Sequence, residues 1–362
     1  MKVIIAGGGT GGHVFPAIAI ANALRKIDPE IEILFVGAQG KLEMEKVPAA
    51  GYKIIGLWIS GFQRKLTFKN LSFPFKLIHS LIKSRKIISS FKPDVVVGVG
   101  GYASGPILKA ANQKGIPTII QEQNSYAGVT NKLLAESAAA ICVAYEGMDK
   151  FFPKDKIVLT GNPVRSDVAQ IEGKKSEACK VLGLDPNKKT IVILGGSGGA
   201  LTLNEAIKNG FGFLKVHEEL QVLWQCGKFY FENYKDCESA KLLNVKIMPF
   251  IERMDFAYAV ADVIVARSGA LTVSELCLVG KPVILIPSPN VAEDHQTKNA
   301  LALVENNAAI MVKDRDAREK LLTSAHQLLE NHDKCRAMSI QIGLLGKLEA
   351  ASDIANIILS KV

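Results

Sequence analysis

The chain opens with KVIIAGGGTGGH at 2–13 and, 188 residues further on counted from Gly7 to Gly195, opens again with KTIVILGGSGGA at 189–200. Each stretch runs from a β-branched apolar segment into glycines that permit a tight turn. Strand, glycine loop and helix, in that order, begin a doubly wound α/β unit. Meeting that opening twice argues for two similar α/β domains in tandem. The length agrees, because 362 residues exceed the ~250–300 that one hydrophobic core organises.

The rhythm after each opening is the same. VIIA at 3–6 is followed by EILFVG at 32–37, DVVVGVG at 94–100, TII at 118–120 and AICVA at 140–144. The second opening is followed by LQVLWQ at 220–225, ADVIVARSG at 261–269, PVILIP at 282–287 and AAIMV at 308–312. Near-continuous apolar strands with helical segments between them predict mainly parallel sheets covered on both faces. A boundary is expected near 163–188, where GNPVR, IEGKKSEACK and DPNKK interrupt the apolar pattern. The last segment, Lys347 to Lys361, places apolar side chains at 348, 351, 354, 355, 358 and 359 and reads as an amphipathic helix.

With 48% hydrophobic and 22% charged residues, the chain is an ordinary folding sequence, which excludes disorder, collagen and coiled coil. The six cysteines at 142, 179, 226, 237, 277 and 335 form no close pair, so neither a disulfide framework nor a zinc knuckle is expected, and the plain reading is a reduced, cytosolic chain. The five-residue apolar run at the N-terminus is unlike a signal peptide. No stretch reaches the ~18 apolar residues of a membrane span.

Gly7, Gly9 and Gly12 satisfy GxGxxG directly after a strand, where backbone amides and a helix N-terminus can cradle phosphate. A nicotinamide site also expects an acidic residue at the end of the second strand, but that strand ends VGAQG. Neither loop continues into the GK[ST] of a Walker motif. His13 follows the first loop at the expected first turn of a helix, where the positive helix end disfavours imidazolium. A neutral imidazole there can accept a proton; the plainer alternative is a histidine that merely packs at a helix start.

The second loop fits GxSxG at 195–199, and Asp262 and His295 follow in serine-hydrolase order. Because the first loop repeats this one without a serine, a shared phosphate-gripping role explains both more simply than a nucleophile elbow. Further along, RSGALTVSE at 267–275 turns from strand into helix and brings Glu275 one turn below Leu271. A carboxylate near a helix start suits the two hydroxyls of a ribose, although Glu275 on a solvated face, paired with Arg267, is the alternative. DHQTKNA at 294–300 supplies His295, Gln296 and Asn299, and the Gln296 amide can both donate and accept toward a sugar. EQNSYAG at 122–128 and GNPVR at 161–165 likewise follow short strands, with Arg165 suited to phosphate. No close His/Cys/Asp cluster suggests a metal, and Asp316 in the single DxD reads as a helix N-cap.

Charge is unevenly placed. Residues 1–165 carry 21 basic and 11 acidic side chains, and the stretch from Lys46 to Lys92 contains ten basic residues and no acidic one. Within it, FQRKLTFKNLSFPFKLIHSLIKSRKIISSFK at 62–92 interleaves rings and aliphatics with cations, the composition of a segment lying on an anionic membrane. The patch expected to touch it comprises Phe68, Lys69, Leu71, Phe73, Phe75, Lys76, Leu81 and Lys83. An ordinary core helix with a basic outer face is the second reading. Single-stranded nucleic acid is the least favoured, because no RNA- or DNA-binding motif accompanies the patch.

Taken together, GGGTGGHVFPA at 7–17, GGYASGP at 100–106, EQN at 122–124, GNPVR at 161–165, RSGALTVSE at 267–275 and DHQTKNA at 294–300 resemble the MurG family. These bacterial enzymes add N-acetylglucosamine to lipid-linked N-acetylmuramoyl-pentapeptide in peptidoglycan synthesis. The resemblance implies the two-domain glycosyltransferase B fold, with a cleft between two Rossmann-like halves. The first half, 1–163, would face acceptor and membrane; the second, 164–345, would bind the UDP-sugar; and the helix at 346–362 would pack back on the first.

By the same resemblance, UDP-N-acetylglucosamine would meet Ser197 at phosphate, the Ile251 backbone at uracil, and Ala270, Leu271 and Thr272 around phosphate and nucleotide, with Val273 and Ser274 in the same segment. Glu275 would meet the ribose and Gln296 the sugar. Thr10, Gly11, Gly12, Asn124 and Arg165 are further donor-contact positions, and His13 is the general base. Two departures stand out: Gly198 where glutamine is common, and Gln121 where histidine is usual. No cofactor and no metal are implied. The expected partners are the UDP-sugar, the lipid-linked muramoyl-pentapeptide and an anionic phospholipid surface, at the cytoplasmic face of the bacterial inner membrane as a peripheral protein, with no nucleic acid. A related transferase with another UDP-sugar or acceptor, a UDP-N-acetylglucosamine 2-epimerase, and a non-enzymatic nucleotide-binding membrane module are the alternatives.

Overall fold

The computed structural model describes residues 1–61, 72–164, 166–196 and 198–362, apart from the side chains of 166, 167 and 292. The chain forms two compact units, Met1–Val164 with Lys347–Val362, and Arg165–Gly346.

The first unit runs β1 (Lys2–Ala6), α1 (Gly11–Ile27), β2 (Glu32–Ala38), α2 (Glu43–Ala49), β3 (Lys53–Leu57), α3 (Phe73–Phe91), β4 (Val95–Gly98), α4 (Ser104–Asn112), β5 (Thr118–Glu122), α5 (Val129–Leu134), β6 (Ala140–Val143) and β7 (Ile157–Leu159). Its seven strands lie in the order 3-2-1-4-5-6-7 and every pair is parallel. Alternation along a strand sends successive side chains to opposite faces. Ile4 accordingly joins Ile88, Ile107 and Leu108 in one apolar layer, while Val3 and Ile5 join Ile20 and Leu24 in the other. Burial on both faces is why these strands read as unbroken apolar runs.

The second unit runs α6 (Lys175–Leu182), β8 (Lys189–Leu194), α7 (Leu201–Asn209), α8 (Phe211–Val216), β9 (Leu220–Gln225), α9 (Phe231–Tyr234), β10 (Val245–Met248), α10 (Met254–Val260), β11 (Val263–Ala266), α11 (Ala270–Val279), β12 (Val283–Leu285), α12 (His295–Val304), β13 (Ile310–Met311), α13 (Asp314–Glu330) and α14 (His332–Leu344). Its six parallel strands lie in the order 10-9-8-11-12-13. Both units are therefore Rossmann-like. The chain then returns to the first unit as α15 (Ala350–Leu359), whose Ile354, Ala355 and Ile358 enter the layer that contains Val3 and Ile5.

The strand orders reverse direction between β1 and β4 and between β8 and β11. Ligands of open α/β sheets collect at the carboxyl ends of the strands at such a switch point. Both glycine-rich loops sit there, one directly after β1 and one directly after β8.

Candidate active site

In the first unit, Gly7 to Thr10 form the turn from β1 into α1. Thr10 is the N-cap, with extended backbone; the first turn of α1 has no acidic residue and no side-chain cap. The positive helix end is left for an anion, with Gly11 and Gly12 at its first two positions. The loop is held from below by Glu43, a carboxylate only 1% exposed. Glu43 accepts the Gly9 N–H at 3.0 Å and the Ala38 N–H at 2.9 Å. Sequence reading passed over Glu43, because its link to the loop spans 34 positions.

His13 is half-buried at the third position of α1, and its Nδ1 lies 3.1 Å from the Thr10 hydroxyl. That contact fixes the ring orientation. The loop after β4 packs against the same place: a Cβ on Gly100 would come within 2.9 Å of the His13 ring, and one on Gly101 within 2.3 Å of the Gly8 carbonyl oxygen. Both glycines have positive φ, 92° and 78°, so GGY at 100–102 is a backbone requirement of the first loop's neighbour. Tyr102 lies against Gly9, and burial first, then the charge of Glu43, raises its phenol above the usual tyrosine range.

Asn124 stands at the mouth of the β5 loop, ordered by buried Glu122. That carboxylate accepts the Asn124 N–H at 3.1 Å, the Gly128 N–H at 2.9 Å and the Asn131 side-chain amide at 2.8 Å. Gln121, one of the two departures, points into a buried network. Its amide donates to Asn162 Oδ1 at 3.0 Å, it accepts from Gln123, and Asn162 returns a bond to the Gln123 carbonyl at 2.9 Å. Glutamine thus ties the end of β5 to the GNP turn.

In the second unit, the loop after β8 packs on the end of β9. A Cβ on Gly199 would meet the Cys226 carbonyl oxygen at 2.1 Å, at a φ of 82°. Gln225 connects this loop to the next turn, donating to the Gly196 carbonyl at 3.1 Å and accepting the Ile251 N–H at 2.9 Å. The Ile251 amide is therefore engaged by its own unit. Gly198 is roomy, since a Cβ there would only touch the exposed Phe229 ring at 3.6 Å. Burial pushes the nearby Cys226 thiol up to about 11, out of nucleophilic range at neutral pH. Ser197 and Arg165 lie outside the described residues.

Helix α11 begins after Gly269 with no acidic residue in its first turn, a second anion-ready helix start at a switch point. Ala270, Leu271 and Thr272 are half-exposed there. Val273 is 1% exposed and faces the core, and the Ser274 hydroxyl donates to the Ala270 carbonyl at 3.0 Å. Glu275 accepts a 2.9 Å hydrogen bond from Tyr258 of α10. Gln296, at the start of α12, accepts the Ser288 N–H at 2.8 Å, and its own carbonyl receives the Ser268 hydroxyl at 2.8 Å. The loops after β11 and β12 are thereby tied to α12.

One reading needs correction and two lesser alternatives lose support. Arg267 pairs with Asp314 at 2.5 Å and not with Glu275. The N-cap of α13 is Lys313, and Asp316 lies inside the first turn; Asp314, nearer the helix start, is drawn to Arg267. Asp262 sits at the amino end of β11, where it accepts the Thr190 N–H at 2.9 Å. The loop at 195–199 follows the carboxyl end of β8, which is parallel to β11, so Asp262 stands at the opposite end of the sheet from that loop.

The part of the apolar and basic stretch from Phe73 to Phe91 forms α3, and Phe68, Lys69 and Leu71 lie outside the described residues. Phe75, Ile78 and Ile82 are exposed at 71%, 57% and 50%, at helical spacing on one face, while Phe73 and Leu81 are half-buried. Lys76 donates to the Ser60 hydroxyl at 3.2 Å and Lys83 to the Gly56 carbonyl at 2.8 Å. These two lysines turn back onto the sheet, and the exposed cations beside the apolar row are Arg85 and Lys86.

Known proteins resemble this chain along both units. The glycosyltransferase family 28 N-terminal domain matches residues 3–143 and the glycosyltransferase family 28 C-terminal domain matches residues 190–357. A protein of Cytophaga hutchinsonii named UDP-N-acetylglucosamine–N-acetylmuramyl-(pentapeptide) pyrophosphoryl-undecaprenol N-acetylglucosamine transferase is 56% identical over 98% of this chain and 95% of its own length. A protein of the same name from Flavobacterium psychrophilum is 54% identical over 100% and 98%. The crystal structure of Acinetobacter baumannii MurG superposes with a TM-score of 0.81 at 28% identity, covering 99% of each chain. The chain belongs to the MurG family of glycosyltransferase family 28.

Proposed function

We propose that this chain transfers N-acetylglucosamine from UDP-N-acetylglucosamine to the C4 hydroxyl of undecaprenyl-pyrophosphoryl-N-acetylmuramoyl-pentapeptide, with inversion at the anomeric carbon. The observation that carries this reading is 56% identity over 98% of the chain with a relative named for that transfer. Isomerisation of the UDP-sugar uses a similar architecture, but the solved 2-epimerases that this chain resembles are 14–18% identical to it and support the fold alone.

In this reading the second unit holds the donor. Amides of the loop after β8 and the start of α11 receive the diphosphate, Ile251 lies beside the uracil, Glu275 takes the ribose hydroxyls and Gln296 the sugar. Thr10, Gly11, Gly12, Asn124, Arg165 and Ser197 complete the donor contacts. His13 removes the acceptor proton as the oxygen attacks the anomeric carbon, and UDP leaves from the opposite face. In this reading the Thr10 hydroxyl, 3.1 Å from Nδ1, accepts from that nitrogen in the neutral ring, and Nε2 takes the proton. The charge developing on UDP is stabilised by helix ends, amides and Arg165.

The acceptor is a lipid, so the chain works as a peripheral membrane protein at the cytoplasmic face. Among the described residues no helix is long and apolar enough to cross a membrane. The exposed row Phe75, Ile78 and Ile82 with Arg85 and Lys86 supports contact with an anionic surface. Incubation with labelled UDP-N-acetylglucosamine and a short-chain lipid-linked muramoyl-pentapeptide should move label into the lipid product. Label that stays in nucleotide-sugar, or appears in a 2-epimer without acceptor, would overturn the assignment.

A further inference from the structure

A second constellation lies in the second unit, at the end of the sheet opposite its glycine loop. His217 caps α8, Glu219 directly precedes β9, and His326 lies on α13. Because β8 and β9 are parallel, the amino end of β9 stands a full strand length, about 20 Å, from the loop after β8. The transfer reaction leaves these three residues without a task.

Their donor atoms converge. His217 Nδ1 is 2.9 Å from Glu219 Oε1, His326 Nε2 is 4.0 Å from the same oxygen, and the three atoms lie within 4.8 Å of one another. In a tetrahedral site with bonds of 2.0–2.2 Å, neighbouring donors stand about 3.3–3.6 Å apart. The observed spacings bracket that value, and closing the widest of them, up to 4.8 Å, takes side-chain shifts of roughly 1.2 Å. The imidazoles face each other at 4.4 Å between centroids, and Phe213 packs on both rings, at 4.3 and 5.7 Å. An aromatic floor therefore fixes the rings on one side. Exposures of 27% for His217, 24% for His326 and 65% for Glu219 leave the other side open to an entering ion and its water.

We propose that His217, Glu219 and His326 form a site for one divalent transition-metal ion of the zinc class, with water in the fourth position. Two imidazole nitrogens and one carboxylate favour such an ion over magnesium or calcium, which prefer all-oxygen shells. The Glu219 backbone amide first, and then His217, hold its carboxyl below the ordinary range, so the anionic ligand is present at neutral pH. The ion acts as a clip: it joins α13 to the turn between α8 and β9, elements separated by about a hundred residues of chain, and it stabilises the unit without entering the transfer reaction.

The test uses the full-length, tag-free chain stripped of metal by chelator and titrated with Zn²⁺ at pH 7.5. One equivalent should bind saturably and raise the thermal transition by a few degrees. His326→Gln and Glu219→Gln should each weaken binding at least tenfold; Glu219 is exposed, so its variant keeps the fold if the histidine variant does not. Lowering the pH to 5.5 should weaken binding at least tenfold, as protons compete with the metal for its ligands. Cobalt substituted for zinc should give visible bands without an intense near-ultraviolet thiolate band. Absence of one-equivalent binding, unchanged affinity in Glu219→Gln, or a thiolate band from part-exposed Cys237 or Cys335 would each overturn the site.

Discussion

His13 shows how a single side chain acquires a task from its neighbours. Its place at the start of α1 was legible because strand, glycine loop and helix are consecutive in sequence. The Thr10 contact to Nδ1 and the bare Gly100 backbone against the ring were not, since the second comes from a loop almost ninety residues away. His13→Ala should lower kcat by ~10²–10⁴ with little change in the KM for the UDP-sugar, if the ring is the base. Steady-state kinetics on a variant with unaltered circular dichroism checks this, and near-wild-type turnover would remove histidine from the chemistry. Tyr258 offers a parallel case. It is fully buried and donates to Glu275, yet nothing in ADVIVARSG or RSGALTVSE points back to it. Tyr258→Phe removes the hydroxyl that orients the carboxylate, and UDP affinity should fall by about three- to tenfold, the worth of one hydrogen bond of ~1 kcal/mol. Calorimetric titration with UDP measures it, and an unchanged affinity would detach Glu275 from the ribose.

At the scale of elements, what the sequence concealed follows a rule. The strands absent from its apolar rhythm are β3, β7 and β10, and each is an edge strand of its sheet. An edge strand is covered less completely, so its side chains need not be uniformly apolar; β7 leaves Val158 and Leu159 39% and 40% exposed. Interior strands such as β1 and β4 are buried on both faces and announce themselves. Helix α3 was visible as an apolar and basic segment, but which lysines face outward depended on where the sheet edge lay. Lys76 and Lys83 reach back to Ser60 and Gly56, so charge reversal there tests the fold more than the membrane. The membrane proposal is better tested by Phe75→Ser, Ile78→Ser and Ile82→Ser together. Sedimentation with vesicles containing anionic lipid should show binding reduced at least tenfold, since losing even part of the ~1.5–3 kcal/mol that each buried apolar side chain provides is enough. Turnover of a water-soluble acceptor analogue should stay as it was. Equal vesicle binding by this variant and the parent would reject α3 as the contact face.

Across the whole molecule, the chain passes from the first unit to the second after Val164 and returns at Lys347. The return makes the stability of the first unit depend on residues that follow the second unit in sequence. Ile354, Ala355 and Ile358 are fully buried, and they share a layer with Val3 and Ile5 of β1, the strand whose end carries the first glycine loop. The period of the C-terminal segment predicted an amphipathic helix; its docking partner, α1, was beyond sequence, because an apolar stripe carries no address. Ile354→Ala should therefore destabilise the first unit by about 2–5 kcal/mol, the range for cavity-forming truncation of a buried isoleucine. Two units with separate cores need not unfold as one, so the expected record is an earlier calorimetric transition for the first unit while that of the second stays in place. A thermogram in which both transitions match the parent would show that α15 contributes no core to the unit that carries His13.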